Sequence, residues 1–287
     1  MRWSSWPASG PSTTMSNPPF ARWLDRAQHR LARANDEWFG PREFEAARWY
    51  GDPVISIVCD DGCLSDLSKV VPVLDAHRVQ GVFAPVASWV GTSGHMSAAD
   101  LRALARGGHE IASHLDHHEP LHRRPEHTWQ EAFQSSRAAL SDACGTDVTT
   151  LVFPHGHNSL PVRQAALEHY DSALTTWRGF NRGVFNRYAL RRVPFGSHLA
   201  PADRDPLAHR QLINDVLARP AWLIWMVHSA NPSHDERQID RLHAMLLLAA
   251  QLGIQVLTIH NTWRHLRNLR RAAQRKNAGY PVEQGTT

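Results

Sequence analysis

Short apolar runs that alternate with helix-like segments constrain the fold of this chain more than any other feature of its sequence. Strand-like runs occur at residues 54–59, 81–86, 109–113, 150–153, 172–176, 222–227 and 254–259, with a weaker one at 189–193. Apolar residues recur at helical spacing in the intervening segments, at residues 97–106, 126–143 and 237–252. Strands that alternate with helices pair in parallel, and seven or eight such units favour a closed barrel over an open sheet.

The chain divides into four parts by composition and periodicity. Residues 1–19 are rich in Ser, Pro, Thr and Gly, which predicts a disordered tail. Residues 20–52 carry helix-like spacing and are expected to form a helical N-terminal extension. Residues 53–266 contain the regular strands and helices, and residues 267–287 read as a basic, polar C-terminal tail. A chain of 287 residues can bury a sizeable core within one large domain.

Composition excludes several classes of protein. Three cysteines do not indicate a disulfide framework. No apolar run approaches the roughly 20 residues that span a bilayer, and the N-terminal residues contain no apolar signal region, so we expect a cytoplasmic protein. Much of the net charge of +4 lies near the C-terminus, where a solvated helix face explains it better than an acidic partner does, and no nucleic-acid partner is expected. The sequence does not indicate an oligomeric state.

Ionisable groups stand where the predicted strands end, which is the rim that carries functional residues in barrels of this kind. Asp60 and Asp61 end the first strand and precede Gly62. Side chains alternate along a strand, so one carboxylate can bind a metal while the other serves as a general base. A polar turn is the alternative, because Asp-Gly is a common turn signal.

Histidine is abundant, with 19 residues, and several also follow strand ends. His114 and His118 are four residues apart, which in a helical turn places both imidazoles on one face, although a polar loop explains the pair equally well. His228 follows another strand end, and a rim histidine is its simpler interpretation. Two histidines and one carboxylate with an open fourth position form a typical catalytic zinc set, which polarises a carbonyl and lowers the pKa of water.

The order of these motifs resembles that of a known family. An Asp-Asp-Gly, a His-x-x-x-His, a Phe-Pro-His-Gly turn and an apolar strand ending in Val-His occur in turn between about residues 54 and 262. This order resembles the polysaccharide deacetylase family, the NodB homology group of carbohydrate esterase family 4. The resemblance implies a distorted (β/α)7-type barrel and metal-dependent hydrolysis of an N-acyl amide, usually an N-acetyl group on a sugar.

The resemblance also implies a role for each motif residue. Asp60 corresponds to the general base and His228 to the general acid. The metal ligands implied are Asp61, His114 and His118, which would hold Zn²⁺ or another divalent first-row ion. The backbone N–H near His155 corresponds to an oxyanion donor.

One element of the family pattern is absent. Many members have an arginine before the Phe-Pro-His-Gly turn, where it pairs with the base carboxylate, but residues 151–153 are Leu-Val-Phe here. Arg191 and Arg192 resemble the element that replaces this arginine in a subgroup of the family. We therefore predict that one of them points into the site, and Arg192 is assigned to it.

The sequence leaves the substrate open. An N-acylated carbohydrate is the substrate that the family resemblance implies. Deformylation or hydrolysis of a cyclic amide would use the same metal site. A catalytically silent carbohydrate-binding domain is a third possibility, which the intact set of base, ligands and acid disfavours. Fold resemblance by itself does not select among them.

Overall fold

Strands alternate with helices through the part of the chain that this computed structural model describes, residues 30–31, 33–34, 41–42, 45–196, 200–232 and 234–277. The strands are β1 (Ala46–Arg48), β2 (Val54–Asp61), β3 (Val82–Pro85), β4 (Glu110–Ile111), β5 (Thr150–Val152), β6 (Ser172–Arg178), β7 (Val184–Asn186), β8 (Leu190–Phe195), β9 (Trp222–Val227) and β10 (Gln255–Val256). From residue 45 onwards the helices are α1 (Leu64–Lys69), α2 (Val71–Ala76), α3 (Ala98–Arg106), α4 (Trp129–Cys144), α5 (Leu160–Ala166), α6 (Pro206–Ala218), α7 (Glu236–Gln251) and α8 (Ile259–Asn277).

The parallel strands form a nearly closed barrel. Seven of them lie in the order β4-β3-β2-β9-β8-β6-β5, and every neighbouring pair is parallel. A parallel bridge between Ser113, just after β4, and Leu151 in β5 joins the two ends of this order. β10 pairs with the first residues of β2 beside β3. The predicted (β/α)7-type barrel is therefore confirmed.

The two central strands, β2 and β9, are buried on both faces, which explains why their apolar sequences indicated strands. All six residues of β9 are buried, and β2 is buried from Val54 to Asp60. The two strands run in register from Val54 beside Trp222 to Cys59 beside Val227. A parallel strand covered on both faces has no solvated side, so its sequence shows a continuous apolar run rather than alternation.

Alternate residues of β2 belong to two different apolar clusters. Ile55, Ile57 and Cys59 join the larger cluster, which includes residues of α2, α3, α4 and α7. Val54 and Val58 join a smaller cluster with residues of β9 and α8. Asp60 follows the same alternation as Val54 and Val58, so the pattern that builds the core also turns its side chain inside the barrel.

Helix boundaries follow the signals in the sequence where those signals are strong. The Ser97 side chain accepts a hydrogen bond from Asp100 N–H, and the Asp100 side chain accepts one from Ser97 N–H, which completes the predicted capping box of α3. α4 ends at Gly145, which adopts φ 76°. Five single turns of 3₁₀ helix complete the described elements: Ala87–Trp89, Leu121–Arg123, Glu126–Thr128, Pro154–Gly156 and Pro201–Arg204.

The two ends of the chain differ from the predicted division. The expected tail at residues 1–19 and most of the helical extension at 20–52 lie outside the described residues. Within the extension, β1 is a strand that pairs antiparallel with β7, so residues 46–48 are not helical. At the other end, α8 runs continuously to Asn277, so its basic residues past 266 belong to a helix that packs on the barrel through Ile259 and Leu266. Within the described ranges, no helix has the length and apolar character to cross a membrane.

Candidate active site

The end of β2 turns two adjacent carboxylates in different directions. Asp60 is 3% exposed. Asp61 adopts φ 75°, and Gly62 follows with φ 70°. A Cβ on Gly62 would lie 2.5 Å from Cβ of Pro85 in β3, so only glycine fits this turn. The Asp-Asp-Gly sequence is therefore both a turn and the place where a strand delivers two carboxylates to one rim.

Asp61, His114 and His118 meet at this rim. The Nε2 atoms of His114 and His118 lie 3.6 Å and 3.5 Å from Oδ1 of Asp61. These separations exceed an ordinary hydrogen bond. They are close to the roughly 3.3 Å between ligand atoms that a tetrahedral zinc ion with bonds of about 2.0–2.1 Å requires. Oδ1 of Asp61 is buried and has no hydrogen-bond partner among the described residues, so the trio fits a bound cation.

The two histidines are brought together by a loop and not by the expected helical turn. Residues 114–118 are irregular, and Leu115 adopts φ 67°, a left-handed conformation that leucine rarely takes. The loop is held by Arg124, whose Nη1 donates to both carboxylate oxygens of Asp116 at 2.9 Å. The backbone N–H groups of Ala87 and Ser88 donate to the carbonyls of Leu115 and Asp116. The spacing was informative, but the helical geometry inferred from it was wrong.

His114 is oriented by the barrel itself. Its Nδ1 donates to the carbonyl of Val152 over 2.7 Å, which leaves Nε2 as the free acceptor that faces Asp61. Burial lowers the pKa of His114 to about 4, although Asp60 and Asp61 oppose the shift. Burial, followed by the neighbouring His155, lowers the pKa of His118 to about 4. Both imidazoles are therefore neutral at pH 7, the form that binds a metal ion.

Arg192 lies against Asp60 in the barrel interior. Its Nη1 donates to Oδ1 of Asp60 over 2.7 Å, and its Nε donates to the carbonyl of Thr175 over 2.7 Å. Burial by itself raises the pKa of Asp60, but the charges of Arg192, His228 and His114 outweigh it and lower the pKa to about 2. Arg191 points the other way along β8, with its guanidinium 5.9 Å from the centre of the Trp177 ring. Of the two candidate arginines, Arg192 is the one that contacts the carboxylate.

His228 lies on the open side of the same carboxylate. It follows β9 directly, and its Nε2 is 3.7 Å from Oδ2 of Asp60. The side chain is 39% exposed, so the ring is open to solvent and to a ligand. Asp60 thus has Arg192 on one oxygen and His228 near the other.

The Phe-Pro-His-Gly turn places His155 beside the trio. His155 adopts φ 56°, and Gly156 adopts φ 70°, where a Cβ would lie 2.4 Å from the backbone N of Thr176. The His155 ring centre is 4.4 Å from that of His118. The backbone hydrogen bonds within the turn are donated by Gly156 and His157, so neither uses the N–H of His155.

Two residues near the site were missed by sequence reasoning. Trp89 lies after β3, with its ring centre 5.3 Å from that of His118, and forms an aromatic wall beside the trio. Arg124 holds the loop between the two histidines through Asp116. Trp89 obeys the strand-end rule already used for the other residues, so the signal was available. Arg124 lies ten residues beyond His114, and no spacing rule indicates it.

The arrangement supplies the parts of a hydrolytic site. Asp60 is an ionised carboxylate inside the rim, His228 is an imidazole within 4 Å of it, and the trio beside them fits a cation. A base, an acid and an electrophilic centre in contact are what hydrolysis of an unreactive acyl bond requires.

Comparison with known proteins agrees with this arrangement. Residues 48–170, which include Asp60, Asp61, His114, His118 and His155, match the family model described as polysaccharide deacetylase. YxkH of Bacillus subtilis (strain 168), which carries the polysaccharide deacetylase name, is 23% identical over 140 residues, 48% of this chain and 50% of that protein. The chain thus spans about half the length of this curated relative.

Solved structures share the fold at low sequence identity. The Xyl-CE4 domain of a multidomain xylanase from the hindgut metagenome of Trinervitermes trinervoides has a TM-score of 0.54 and 15% identity over 75% of this chain and 91% of that one. A family 4 acetyl xylan esterase from Clostridium thermocellum, solved with a cobalt ion, has a TM-score of 0.53 and 16% identity over 72% and 89%. A CE4 family pseudoenzyme from Bacillus anthracis has a TM-score of 0.53 and 12% identity over 74% and 65%.

The ordered motifs, the seven-stranded barrel and the matched family model agree, and we conclude that residues 48–170 of this chain belong to a domain of the polysaccharide deacetylase family, the NodB homology group of carbohydrate esterase family 4.

Proposed function

We propose that this protein is a metal-dependent hydrolase that removes an N-acyl group, in the first instance N-acetyl, from a carbohydrate. The observation that carries the proposal is the position of Asp60, which lies between Arg192 and His228 and beside the trio of Asp61, His114 and His118. Family membership supports the carbohydrate substrate.

The proposed metal ligands are Asp61 through Oδ1 and the two histidines through Nε2. Two nitrogen donors and one oxygen donor suit Zn²⁺ and also other divalent first-row ions. When bound, such an ion acts as a Lewis acid that polarises the acyl carbonyl and acidifies water. The buried, unpaired Oδ1 of Asp61 supports this assignment, because an unpaired buried carboxylate oxygen is costly without a cation.

Asp60 is proposed as the general base. With a pKa of about 2 its carboxylate is ionised at every physiological pH. Arg192 occupies Oδ1, so Oδ2 remains to take the proton of the attacking water. Because the carboxylate is a weak base, it holds that proton only briefly, and His228, whose Nε2 is 3.7 Å from Oδ2, is proposed to receive it through a small approach or one intervening water.

His228 is proposed as the general acid that protonates the departing amine. Its exposure on the open side of the site allows it to reach a leaving group on a bulky glycan. The backbone N–H of His155 is proposed to donate to the oxygen on which negative charge develops. Trp89 offers an apolar surface beside His118 for the sugar or acyl group.

Metal content and acetate release test the proposal together. Zinc bound to the wild type and to His114→Ala is measured first, and acetate release is then assayed on N-acetylated oligosaccharides and sugar nucleotides. We expect zinc and acetate release in the wild type and the loss of both in His114→Ala. A wild type that binds no divalent metal contradicts the proposal.

The alternatives predict different results in the same assays. Bound metal with turnover of formamides or cyclic amides but no acetate release would identify another C–N hydrolase. Bound metal and sugar binding without any turnover would identify a silent carbohydrate-binding domain. The presence of the base, the acid and the complete trio in one chain disfavours the silent domain.

A further inference from the structure

A buried polar cluster joins α1 to the loop that follows β9. Ser229 donates a hydrogen bond to Oδ1 of Asp66 over 2.5 Å, and its hydroxyl lies 2.6 Å from that of Ser65. Asp66 is 0% exposed and Ser229 is 1% exposed. The metal trio and the base do not include any of these residues, so the cluster requires its own explanation.

Lys69 extends the same connection. Its Nζ donates to the carbonyl of Ser229 over 3.0 Å and to the carbonyl of His234 over 3.2 Å. Within the loop, Asn231 N–H donates to the His228 carbonyl, and His234 N–H donates to the Asn231 carbonyl. The loop is therefore held at its start and at its end by one short helix.

The residue held most firmly is the immediate neighbour of His228. Strand β9 fixes the backbone before His228, and the bonds of Ser229 fix it afterwards. The ring of His228 itself is 39% exposed, so part of its surface has no protein contact to hold it. The backbone on its two sides therefore contributes to the direction in which His228 points.

The helix that holds His228 also begins just after the proposed base. Asp60 and Asp61 end β2, and α1 begins after Gly62 and Cys63. Any shift of α1 would move the loop of His228 relative to Asp60. One continuous segment thus carries the base, a metal ligand and the support of the histidine opposite.

We infer that Asp66 and Ser229, assisted by Lys69, are positioning residues that hold His228 at its working distance from Asp60. This inference rests on the proposed role of His228 as the general acid. A carboxylate is a costly choice for packing alone, because Oδ2 of Asp66 is buried and has no hydrogen-bond partner in the described part of the chain. Burial, with Asp61 and Asp60 nearby, raises the pKa of Asp66 to about 7 against the opposing bond from Ser229. An apolar residue would fill this space at lower cost.

Three variants and a control test the inference by kinetics. Ser229→Ala and Asp66→Ala should lower kcat by up to about 100-fold, as small displacements of catalytic groups do, while KM and zinc content stay unchanged. Asp66→Asn keeps an acceptor for Ser229 and should stay within about threefold of the wild type. Ser68→Ala, on the exposed side of α1, is the matched control and should have no effect. Equal losses in Asp66→Asn and Asp66→Ala would overturn the role given to the hydrogen bond.

A double-mutant cycle separates positioning from general damage. In a His228→Ala background, Ser229→Ala should cause no further loss of kcat, because its effect acts through His228. If the two losses multiply, the inference is wrong.

A measurement without substrate keeps the inference testable if the proposed function fails. The imidazole ¹H–¹³C resonance of His228 can be assigned by its absence in His228→Ala. It should shift or broaden in Ser229→Ala and remain unchanged in Ser68→Ala. An unchanged His228 resonance in Ser229→Ala overturns the inference, whatever substrate the protein acts on.

Discussion

Arg192 and Asp60 form an ion pair in which both side chains are buried. Their exposures are 1% and 3%, and Nη1 of Arg192 lies 2.7 Å from Oδ1 of Asp60. Such a pair contributes little net stability compared with two apolar residues. Removal of one partner is costly, because the other charge then stays buried without compensation.

Arg192→Met should therefore lower the free energy of unfolding by about 3–5 kcal/mol as well as reduce turnover. The measurement is urea denaturation of the purified variant. Arg192→Met combined with Asp60→Leu should recover much of the lost stability without recovering turnover. Arg191→Met is the matched control on the opposite face of β8, and a loss of stability as large as that of Arg192→Met would contradict the assignment.

The two adjacent carboxylates should separate metal binding from turnover. Asp60→Asn should retain zinc and lose about 10²- to 10⁴-fold in turnover, the usual contribution of a general base. Asp61→Ala should lose zinc, because it removes the only carboxylate oxygen of the trio. Isothermal titration with zinc, followed by a turnover assay at saturating metal, distinguishes the two variants. Equal zinc affinity in both would show that the roles have been assigned to the wrong residues.

The Arg124–Asp116 pair should affect zinc affinity, because it holds the loop that carries His114 and His118. Arg124→Ala frees the loop between His114 and His118 and should weaken zinc binding by about 10-fold, at the low end of the range for residues that support metal ligands. Arg137→Ala is a suitable control, because Arg137 lies on α4, away from the trio, and forms a similar pair with Asp147. Competition with a chromophoric chelator measures both affinities, and the idea fails if the two variants bind zinc equally.

His209 should make the fold sensitive to acid. Its ring is buried and stacks on Phe195 at 4.2 Å, and burial lowers its pKa from 6.5 to about 4. Between these values the unfolded chain binds a proton that the folded chain does not, so stability present above pH 6.5 is lost as the pH falls towards 4. The full loss from this group is on the order of 3 kcal/mol.

His209→Phe should flatten the dependence of unfolding free energy on pH between 7 and 4.5. Denaturation in the presence of a chelator measures this without a contribution from bound metal. The other buried histidines keep their share of the slope, so the curve should flatten and not become level. Parallel curves for the wild type and the variant would show that His209 is not protonated on unfolding.

The sequence predicted elements best where one physical effect dominates. The bounds of β9 were predicted to the residue, because both faces of the strand are buried and the apolar run has sharp ends. β4 was predicted as five residues and contains two, and the chain beyond it keeps only single bonds to β3 and β5 before it enters the histidine loop. Loops of this kind depend on contacts made elsewhere in the chain.

The sequence indicated residues that the structure brings together, but not the geometry in which they meet. Strand alternation implied that only one of Arg191 and Arg192 could face inwards. The choice between them depends on contacts made elsewhere in the chain, those of Arg192 with Asp60 and with the Thr175 carbonyl. The left-handed backbone of Leu115 was also not predictable, because leucine rarely adopts that conformation and gives no signal for it. The hydrogen bond from Ser229 to Asp66 joins residues that are 163 positions apart, so no local pattern indicates it.

Metal binding and closure of the barrel are linked at the junction between β4 and β5. The N–H and carbonyl of Ser113, just after β4, bond to Thr150 and Val152 of β5 at 2.8 Å. The Thr150 hydroxyl also donates to the Glu110 carboxylate, and Nδ1 of His114 donates to the Val152 carbonyl. The imidazole that presents Nε2 to a cation therefore also bonds across this junction. A cation that selects this orientation of His114 stabilises the closed cylinder over any state in which the two strands separate. Zinc affinity and resistance of the cylinder to opening should thus rise and fall together, as two measures of one equilibrium.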